Sequence, residues 1–382
     1  MSRALISILV LLLCLPVAEA WAATITLVSL DGAGEGFNDP TTVEAVGGNS
    51  ATTLGSQRQF VVEQAAGLWA AELRSDVTIL LGASFDELAC TESTAQLGQA
   101  GPTTVAFGSN LSNPPFEDAV YPAALANSLA GEDLCPETSC TVTHYDIEAQ
   151  FNSSLDSGAC LGGVTFYYGV DGNKGSNQVD LLSTVLHELG HGLGFLSFVD
   201  LDSGAKFSAS SGSGTSYFND PYMYWLEDHS AELTFPNMTD SERLAAITGG
   251  ADLHWTGAYA IAAASGLSAG RDSSSGHVEM YGPDPAETGS SITHFADGVT
   301  PDELMEPFST ATQDLTLTRA LLRDAGWQLT SALPCGDVTG DGSVTATDAL
   351  NVLKTAVGIV VELSCSTATV VCGDVTGEGS VT

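Results

Sequence analysis

Basic residues are scarce in this sequence. Ten Lys and Arg residues stand against 47 Asp and Glu in a chain of 382 residues, so the formal net charge is −37. A surface that binds nucleic acid or anionic lipid needs clustered positive charge. The charge balance therefore excludes nucleic acid as a partner and predicts an acidic, well-solvated surface.

Long hydrophobic runs are absent after the N-terminus. Arg3 is followed by an apolar stretch at residues 4–17 and by the small-residue pattern AEA at residues 18–20. These parts are typical of a secretory signal peptide, and the stretch is shorter than the roughly 18 residues that a membrane span requires. We expect residues 1–22 to be a signal peptide and the mature protein to be secreted, extracellular and without a membrane span.

Cysteine occurs at eight positions, of which Cys14 lies in the predicted signal peptide. In an exported protein the others favour disulfides over metal ligation. The first group allows two bridges in three connectivities and consists of Cys90, Cys135, Cys140 and Cys160. The second group leaves one odd thiol and consists of Cys335, Cys365 and Cys372.

The spacing of apolar residues predicts an α+β fold. Alternating and β-branched runs predict strands at residues 24–30, 77–81 and 164–170. Helical spacing and capping residues predict helices at residues 57–73 and 122–129, from Asp180 onward, from Thr239 to Gly249 and at residues 315–325. The Gly/Ser-rich segment at residues 203–216 is predicted to be a loop.

The motif HELGHGLGF at residues 187–195 carries the clearest chemistry. His187 and His191 are four positions apart, so on a helix they share a face and can bind one metal ion. Glu188 lies beside them, where a carboxylate can take a proton from a metal-activated water. The alternative is a buried helix with histidines at this spacing by chance, and a third ligand would decide between the two.

The third ligand is missing where a compact motif has it. In the HExxHxxGxxH pattern of metzincin proteases the third His would fall at Ser197, and serine is a poor zinc ligand. Gly194 favours a helix that ends and reverses after the second His. Two candidates remain. Glu227 would supply the ligand in a zinc hydrolase of another class, and His294 precedes Met305 by a short segment.

The order of these motifs resembles a known family. HELGHGLGF at residues 187–195, a long insertion, and then HF…DELMEP at residues 294–307 resemble the leishmanolysin-type branch of the metzincins. The segments GEGFNDP at residues 34–40 and LLRDAGW at residues 321–327 are similar to secreted bacterial relatives. The resemblance covers residues 23–327. It implies a mixed sheet with an active-site helix and a C-terminal subdomain that contains a Met-turn.

The resemblance also implies roles for individual residues. His187, His191 and His294 would bind a catalytic Zn²⁺ ion, and Met305 would be the methionine of the Met-turn beneath it. Glu188 would act as general base in a zinc metalloendopeptidase that hydrolyses peptide bonds of protein or peptide substrates with a zinc-activated water.

A calcium-binding module is predicted at the C-terminus. The sequence CGDVTGDGSVTATD at residues 335–348 fits a twelve-residue calcium loop, and a copy that begins at Asp374 stops at its ninth position. The oxygen ligands for Ca²⁺ would come from Asp337, Thr339, Asp341, Ser343, Thr345 and Asp348. A loop of this kind followed by a helix resembles an EF-hand-like type I dockerin with an incomplete second repeat. It implies a cohesin partner on a scaffold or cell surface, and a calcium-stabilised tail without that partner is the alternative.

These predictions divide the chain into four parts. They are a signal peptide (1–22), a zinc metalloprotease domain (23–330, with the insertion at about 196–293), a linker (331–334) and a dockerin-like module (335–382). A non-catalytic, dockerin-tethered binding protein on the metzincin fold is the other reading of the same sequence. The presence of Glu188 argues against it, because a binding role does not require that carboxylate.

Overall fold

The computed structural model describes residues 22–136, 144–158, 160–211 and 214–330. Within these ranges the chain is a mixed α/β protein with six α-helices and several small sheets. None of these helices is both long enough and apolar enough to cross a membrane. The predicted linker and calcium module lie outside the described residues, as does the predicted signal peptide except for Ala22.

The elements follow one another in chain order. The helices are α1 (Leu54–Glu72), α2 (Ala123–Ala130), α3 (Leu181–Leu193), α4 (Asp240–Ile247), α5 (Ala258–Ala263) and α6 (Thr316–Asp324). The strands of the first half are β1 (Ile25–Ser29), β2 (Ile79–Asp86), β3 (Gly98–Pro102), β4 (Val105–Phe107), β5 (Val120–Pro122), β6 (Ile147–Asn152), β7 (Thr165–Tyr167) and β8 (Gln178–Asp180). Those of the second half are β9 (Phe207–Ser211), β10 (Gly214–Phe218), β11 (Leu226–Asp228), β12 (Leu233–Thr234), β13 (Leu253–Trp255) and β14 (Val278–Glu279).

A four-stranded sheet forms the base of the first half, with strand order β1-β2-β6-β3. The first three strands are parallel, and β3 is antiparallel to β6 at the sheet edge. Helices α1 and α3 pack against each other, α1 beside β1 and α3 beside β3 and β6. The parallel strands are rich in buried apolar residues, as expected for a sheet that a helical layer covers.

Helix α1 fixes α3 in this layer. The Thr53 side chain caps its N-terminus, and Val61, Val62 and Trp69 are fully buried. The Trp69 indole N–H donates a 2.9 Å hydrogen bond to the carbonyl of Leu186 on α3. A buried Trp contributes a large apolar surface and needs one acceptor for its N–H, so this contact fixes the position of α3 along α1.

A second sheet lies within residues 226–279, in the predicted insertion, and has the order β12-β11-β13-β14, with all neighbours antiparallel. Helix α6 packs against α5 beside it. The Trp255 indole N–H on β13 donates to Asp324 at the end of α6 at 3.2 Å. This contact ties the sheet to the last helix of the described chain.

The predicted loop at residues 203–216 is wrong in part, because a hairpin forms there. Strand β9 pairs with β10, and Phe207 lies directly opposite Phe218. The Phe207 ring packs on Phe198, and the Phe218 ring packs on Phe107. The Gly/Ser composition of the strands hid this pairing, which the two phenylalanines at its open end anchor.

Other sequence predictions agree with the structure to within a few residues. Asp180 caps α3, and Thr239 and Glu242 form the predicted capping box of α4. The predicted strand at 77–81 begins later, at Ile79, and continues to Asp86. Cys90 and Cys160 form a disulfide, and Cys135 is disulfide-bonded as well.

Candidate functional site

Helix α3 presents two histidines at one end of a cleft. The Asp180 carboxylate accepts from the backbone N–H of Ser183 at 2.7 Å and starts the helix. Leu182, Val185 and Leu189 are buried on its core side. The remaining face carries His187 and His191, as their spacing of four predicts.

The helix ends immediately after the second histidine. Gly194 has φ of 117°, a left-handed conformation that glycine adopts at little cost. The turn lets the Phe195 N–H donate to the Gly190 carbonyl at 3.0 Å. It also places the Phe195 carbonyl where it accepts from Nδ1 of His191 at 2.9 Å. The glycine turn therefore orients the second imidazole.

His294 reaches the same point from a segment about a hundred residues later in the chain. Its Nε2 lies 3.0 Å from Nε2 of His187, which in turn lies 3.1 Å from Nε2 of His191. Ligand atoms about 2.0–2.1 Å from a tetrahedral zinc ion would be about 3.4 Å apart. The three nitrogens are therefore spaced as a cluster that could hold one metal ion.

The opposite nitrogen of each ring is held by the backbone. Nδ1 of His187 bonds to the Leu304 carbonyl at 2.8 Å, and Nδ1 of His294 bonds to the Ser290 carbonyl at 2.8 Å. Since a carbonyl only accepts, each Nδ1 carries the proton, and each Nε2 presents a lone pair. This is the arrangement of a metal-binding histidine whose tautomer is fixed by an outer hydrogen bond.

Burial keeps the three imidazoles neutral. It lowers the pKa of His187, and together with the neighbouring His187 it lowers the pKa of His191 to about 3. Burial, followed by the other two histidines, lowers the pKa of His294 as well. Neutral imidazoles are the ligand form, so the donor set fits a borderline divalent ion such as Zn²⁺.

Glu188 lies between α3 and the edge strand β3. Its side chain is buried, and burial raises its pKa to about 8, although a hydrogen bond from the backbone N–H of Ala100 opposes that rise. Gly98 on the same strand leaves the space that the side chain occupies. A desolvated carboxylate beside three imidazole lone pairs has the position and basicity of a proton acceptor.

Met305 lies beneath the histidine-bearing helix and is fully buried. A Cβ atom at Gly190 would come within 2.7 Å of its sulfur, so this glycine permits the close approach. The Met305 carbonyl accepts from the Phe295 N–H at 2.8 Å, one residue past His294. The segment at residues 302–307 thus supports both His187, through Leu304, and His294.

An open cleft of about 890 Å³ joins these groups. It is lined by residues 95–100, at and before β3, and by residues 288–294 and 307–312. His187, Glu188 and His191 lie within it. A cleft of this size accommodates several residues of an extended chain.

Ser197, the position of the third ligand in the compact motif, has another role. Its hydroxyl donates to the buried carboxylate of Asp220 at 2.8 Å, and Asp220 also accepts from the Met223 N–H at 2.7 Å. The structure does not bring Glu227 to the three histidines either. Its Oε2 lies 2.8 Å from Nδ1 of His277, in a separate group with His229 and His254.

Comparison with known proteins adds one match. A family model described as SPBPB7E8-like matches residues 55–206. No curated protein and no solved structure matches the chain. The matched region contains His187, Glu188 and His191 and ends before His294.

Proposed function

We propose that this protein is a secreted, zinc-dependent metalloendopeptidase with metzincin architecture. The observation that carries the proposal is the convergence of three Nε2 lone pairs, from His187, His191 and His294, beside the buried carboxylate of Glu188. Two ligands come from one helix turn and the third from a distant segment. A chance HExxH on a core helix would not require that third histidine.

The donor set supports zinc as the resident ion. Three neutral imidazoles leave one position of a tetrahedron for water or substrate, which is typical of a catalytic rather than a structural zinc site. Bound there, Zn²⁺ would lower the pKa of water and polarise the scissile carbonyl. The Nδ1 hydrogen bonds to backbone carbonyls hold the three rings ready for the ion.

Glu188 performs the proton transfers of the reaction. As general base it removes a proton from the attacking water, and as general acid it returns that proton to the leaving amine. Its hydrogen bond with the Ala100 N–H orients the carboxylate, while burial raises its affinity for the proton. Such a positioned group contributes about 10²–10⁴-fold to a hydrolysis rate.

The edge strand favours a peptide as substrate. The Asn152 N–H, at the end of β6, donates to the Leu97 carbonyl at 2.9 Å. In an antiparallel pair every second residue is hydrogen-bonded to the neighbouring strand, so this bond tells which residues of β3 bond to β6. The backbone groups of Gln99 then face β6, whereas those of Gly98 and Ala100 face the open side. The Ala100 N–H bonds to Glu188 there, which leaves the Gly98 groups and the Ala100 carbonyl for a peptide. An extended peptide can pair with an open edge of this kind through main-chain hydrogen bonds. This is the reason to prefer peptide bonds over other amides.

A non-catalytic binding protein is the second candidate, and Glu188 argues against it. A buried carboxylate without a charged partner destabilises a fold, so its presence in the lining of the cleft needs a functional reason. Secretion, the Ca²⁺ module and its cohesin partner remain proposals from the sequence, because they depend on residues outside the described ranges.

The proposal is tested with purified, zinc-loaded protein and an unfolded protein substrate. Glu188→Gln should keep its zinc and lose at least about 10²-fold in kcat/KM. His294→Ala should lose one equivalent of zinc together with the activity. His144→Ala, a histidine outside both clusters, is the control and should behave as the wild type.

Two outcomes would overturn the assignment. Full activity and zinc content in His294→Ala would remove the third ligand from the site. Absence of proteolysis in the intact, zinc-loaded protein would favour the binding protein.

A further inference from the structure

A second histidine cluster lies in the sheet of the insertion. Glu227 on β11 is directly opposite His254 on β13 in the antiparallel register. His229 follows the end of β11, and His277 immediately precedes β14. Directly paired residues project from the same face of a sheet, so the sheet itself brings the carboxylate and the imidazole together.

The four side chains converge on one point. Oε2 of Glu227 lies 2.8 Å from Nδ1 of His277 and 3.5 Å from Nδ1 of His229. The ligand atoms of His229, His254 and His277 all lie within 4.8 Å of one another. The edges of a tetrahedron of nitrogen and oxygen ligands around zinc measure about 3.4 Å, so the spacing suits one ion.

None of the four converging atoms has a hydrogen-bond partner among the described residues. They are Oε2 of Glu227 and Nδ1 of His229, His254 and His277, and all four are buried. Nε2 of His254 bonds to the Ala251 carbonyl at 2.9 Å, so its Nδ1 presents a lone pair to the cluster. Buried polar atoms without hydrogen bonds are destabilising, and the carboxylate contacts of Glu227 leave these four atoms without one. Four such atoms aimed at one another indicate a ligand that the side chains share.

We propose that Glu227, His229, His254 and His277 form a second metal site, separate from the cleft, that binds Zn²⁺. Three imidazoles and one carboxylate suit a borderline divalent ion, and Glu227 supplies the negative charge. Four protein ligands fill a tetrahedron and leave no position for substrate. The site is therefore structural.

The second site stabilises the sheet that leads to the cleft. Beyond β14, the Met280 N–H donates to the Leu253 carbonyl at 2.8 Å, and the Tyr281 N–H donates to the His294 carbonyl at 2.9 Å. The segment that starts at His277 and runs through β14 to Tyr281 thus connects His277 with the backbone of His294. An ion that joins β11, β13 and the start of β14 would hold this connection in place.

Metal content is the decisive measurement. The full-length protein is stripped with a chelator, reloaded with Zn²⁺ alone, and analysed by elemental mass spectrometry. The wild type should hold two equivalents. The double variant His187→Ala/His191→Ala should hold one, and adding Glu227→Gln to it should remove that one. His254→Ala should hold one equivalent and show a smaller rise in melting temperature on zinc addition, while His144→Ala should match the wild type in both.

The proposed second site is refuted if the wild type holds one equivalent of zinc and the His187→Ala/His191→Ala variant holds none. It also fails if Glu227→Gln does not lower the zinc content of that double variant. If His254→Ala does not fold, the zinc content of the double variant still tests the second site, because its second-site residues are unchanged. Activity is not part of this measurement, so its result is independent of the proposed peptidase function.

Discussion

Gly98 on the edge strand β3 controls the position of the proposed general base. A Cβ atom added there would lie 2.9 Å from Cγ and 3.0 Å from Oε1 of Glu188, against 3.4 Å or more for ordinary contacts. It would also lie 3.1 Å from the backbone carbonyl of Gln150, which the β3–β6 pairing holds in place. In Gly98→Ala the flexible carboxylate must therefore move, by about half an ångström, to restore ordinary contact distances.

This displacement sets the size of the expected effect. A misplacement of about 1 Å costs on the order of 100-fold in rate, so half of that corresponds to about a tenfold loss in kcat/KM, or about 1.4 kcal/mol. The three atoms nearest to the new Cβ belong to Glu188 and Gln150 and not to a histidine, so zinc content should stay at the wild-type level. Gly101→Ala is the matched control, because a Cβ on the same strand at that position meets nothing within 4 Å.

The assay compares kcat/KM, zinc content and melting temperature of the two variants with the wild type. Gly101→Ala should keep its activity and gain up to about 0.5–1 kcal/mol in stability, since alanine orders the strand at a smaller entropic cost. Equal activity in Gly98→Ala and Gly101→Ala would refute the claim that activity depends on the position of the Glu188 carboxylate. A loss of activity in Gly98→Ala that is accompanied by loss of zinc or of the fold would refute it too.

Two further predictions concern stability. In Gly192→Ala the new methyl group would overlap the buried side chain of Ile147, so the free energy of unfolding in urea should fall by about 1–3 kcal/mol. The control is Gly67→Ala on α1, which has open space around it. Its free energy of unfolding should rise by up to about 1 kcal/mol. Burial raises the pKa of Glu303 from 4.5 to about 8, with Asp314 and Glu306 adding to the rise. The native state then binds a proton that the unfolded state releases, so wild-type stability should fall as pH rises from about 5 to about 7, by at least about 1 kcal/mol more than that of Glu303→Gln. The measurement is urea unfolding of both proteins across this pH range. A difference in their free energies of unfolding that does not change with pH would contradict the prediction.

Helix α3, which carries His187 and His191, could be predicted closely from local sequence. Its N-cap Asp180, its apolar face and the glycine after its second histidine are all within about 15 residues, and each acts through short-range geometry. The spacing of His187 and His191 on one face follows from the helix itself. The pairing of Phe207 with Phe218 was missed because the glycine and serine residues between them are typical of loops.

The second cluster could not be predicted in this way. His229, His254 and His277 are far apart in the chain, and no motif spacing relates them. Only the register of β11 with β13 places His254 opposite Glu227. The sequence did single out Glu227, but as a ligand for the motif histidines, because the pairing of the insertion strands was unknown. A local pattern identifies ligands on one helix, whereas ligands on neighbouring strands require the sheet topology.

With His294 as the proposed third ligand, the long segment between His191 and His294 has to perform the task that a six-residue spacing performs in the compact motif. Joining a third ligand through about 100 residues instead of about six raises the entropy cost of closing the loop by roughly 2.5 kcal/mol. The insertion offsets this cost with ordered structure at both ends. Phe195, next to the helix end, packs on Phe295 with ring centroids 5.1 Å apart, and the Tyr222 hydroxyl donates to the Ile292 carbonyl at 3.0 Å. These contacts hold the segment around His294 on one side, and the sheet with the second cluster holds it on the other. The distant histidine is thus positioned by the folded insertion, and a metal ion within that sheet would lower the same entropy cost further.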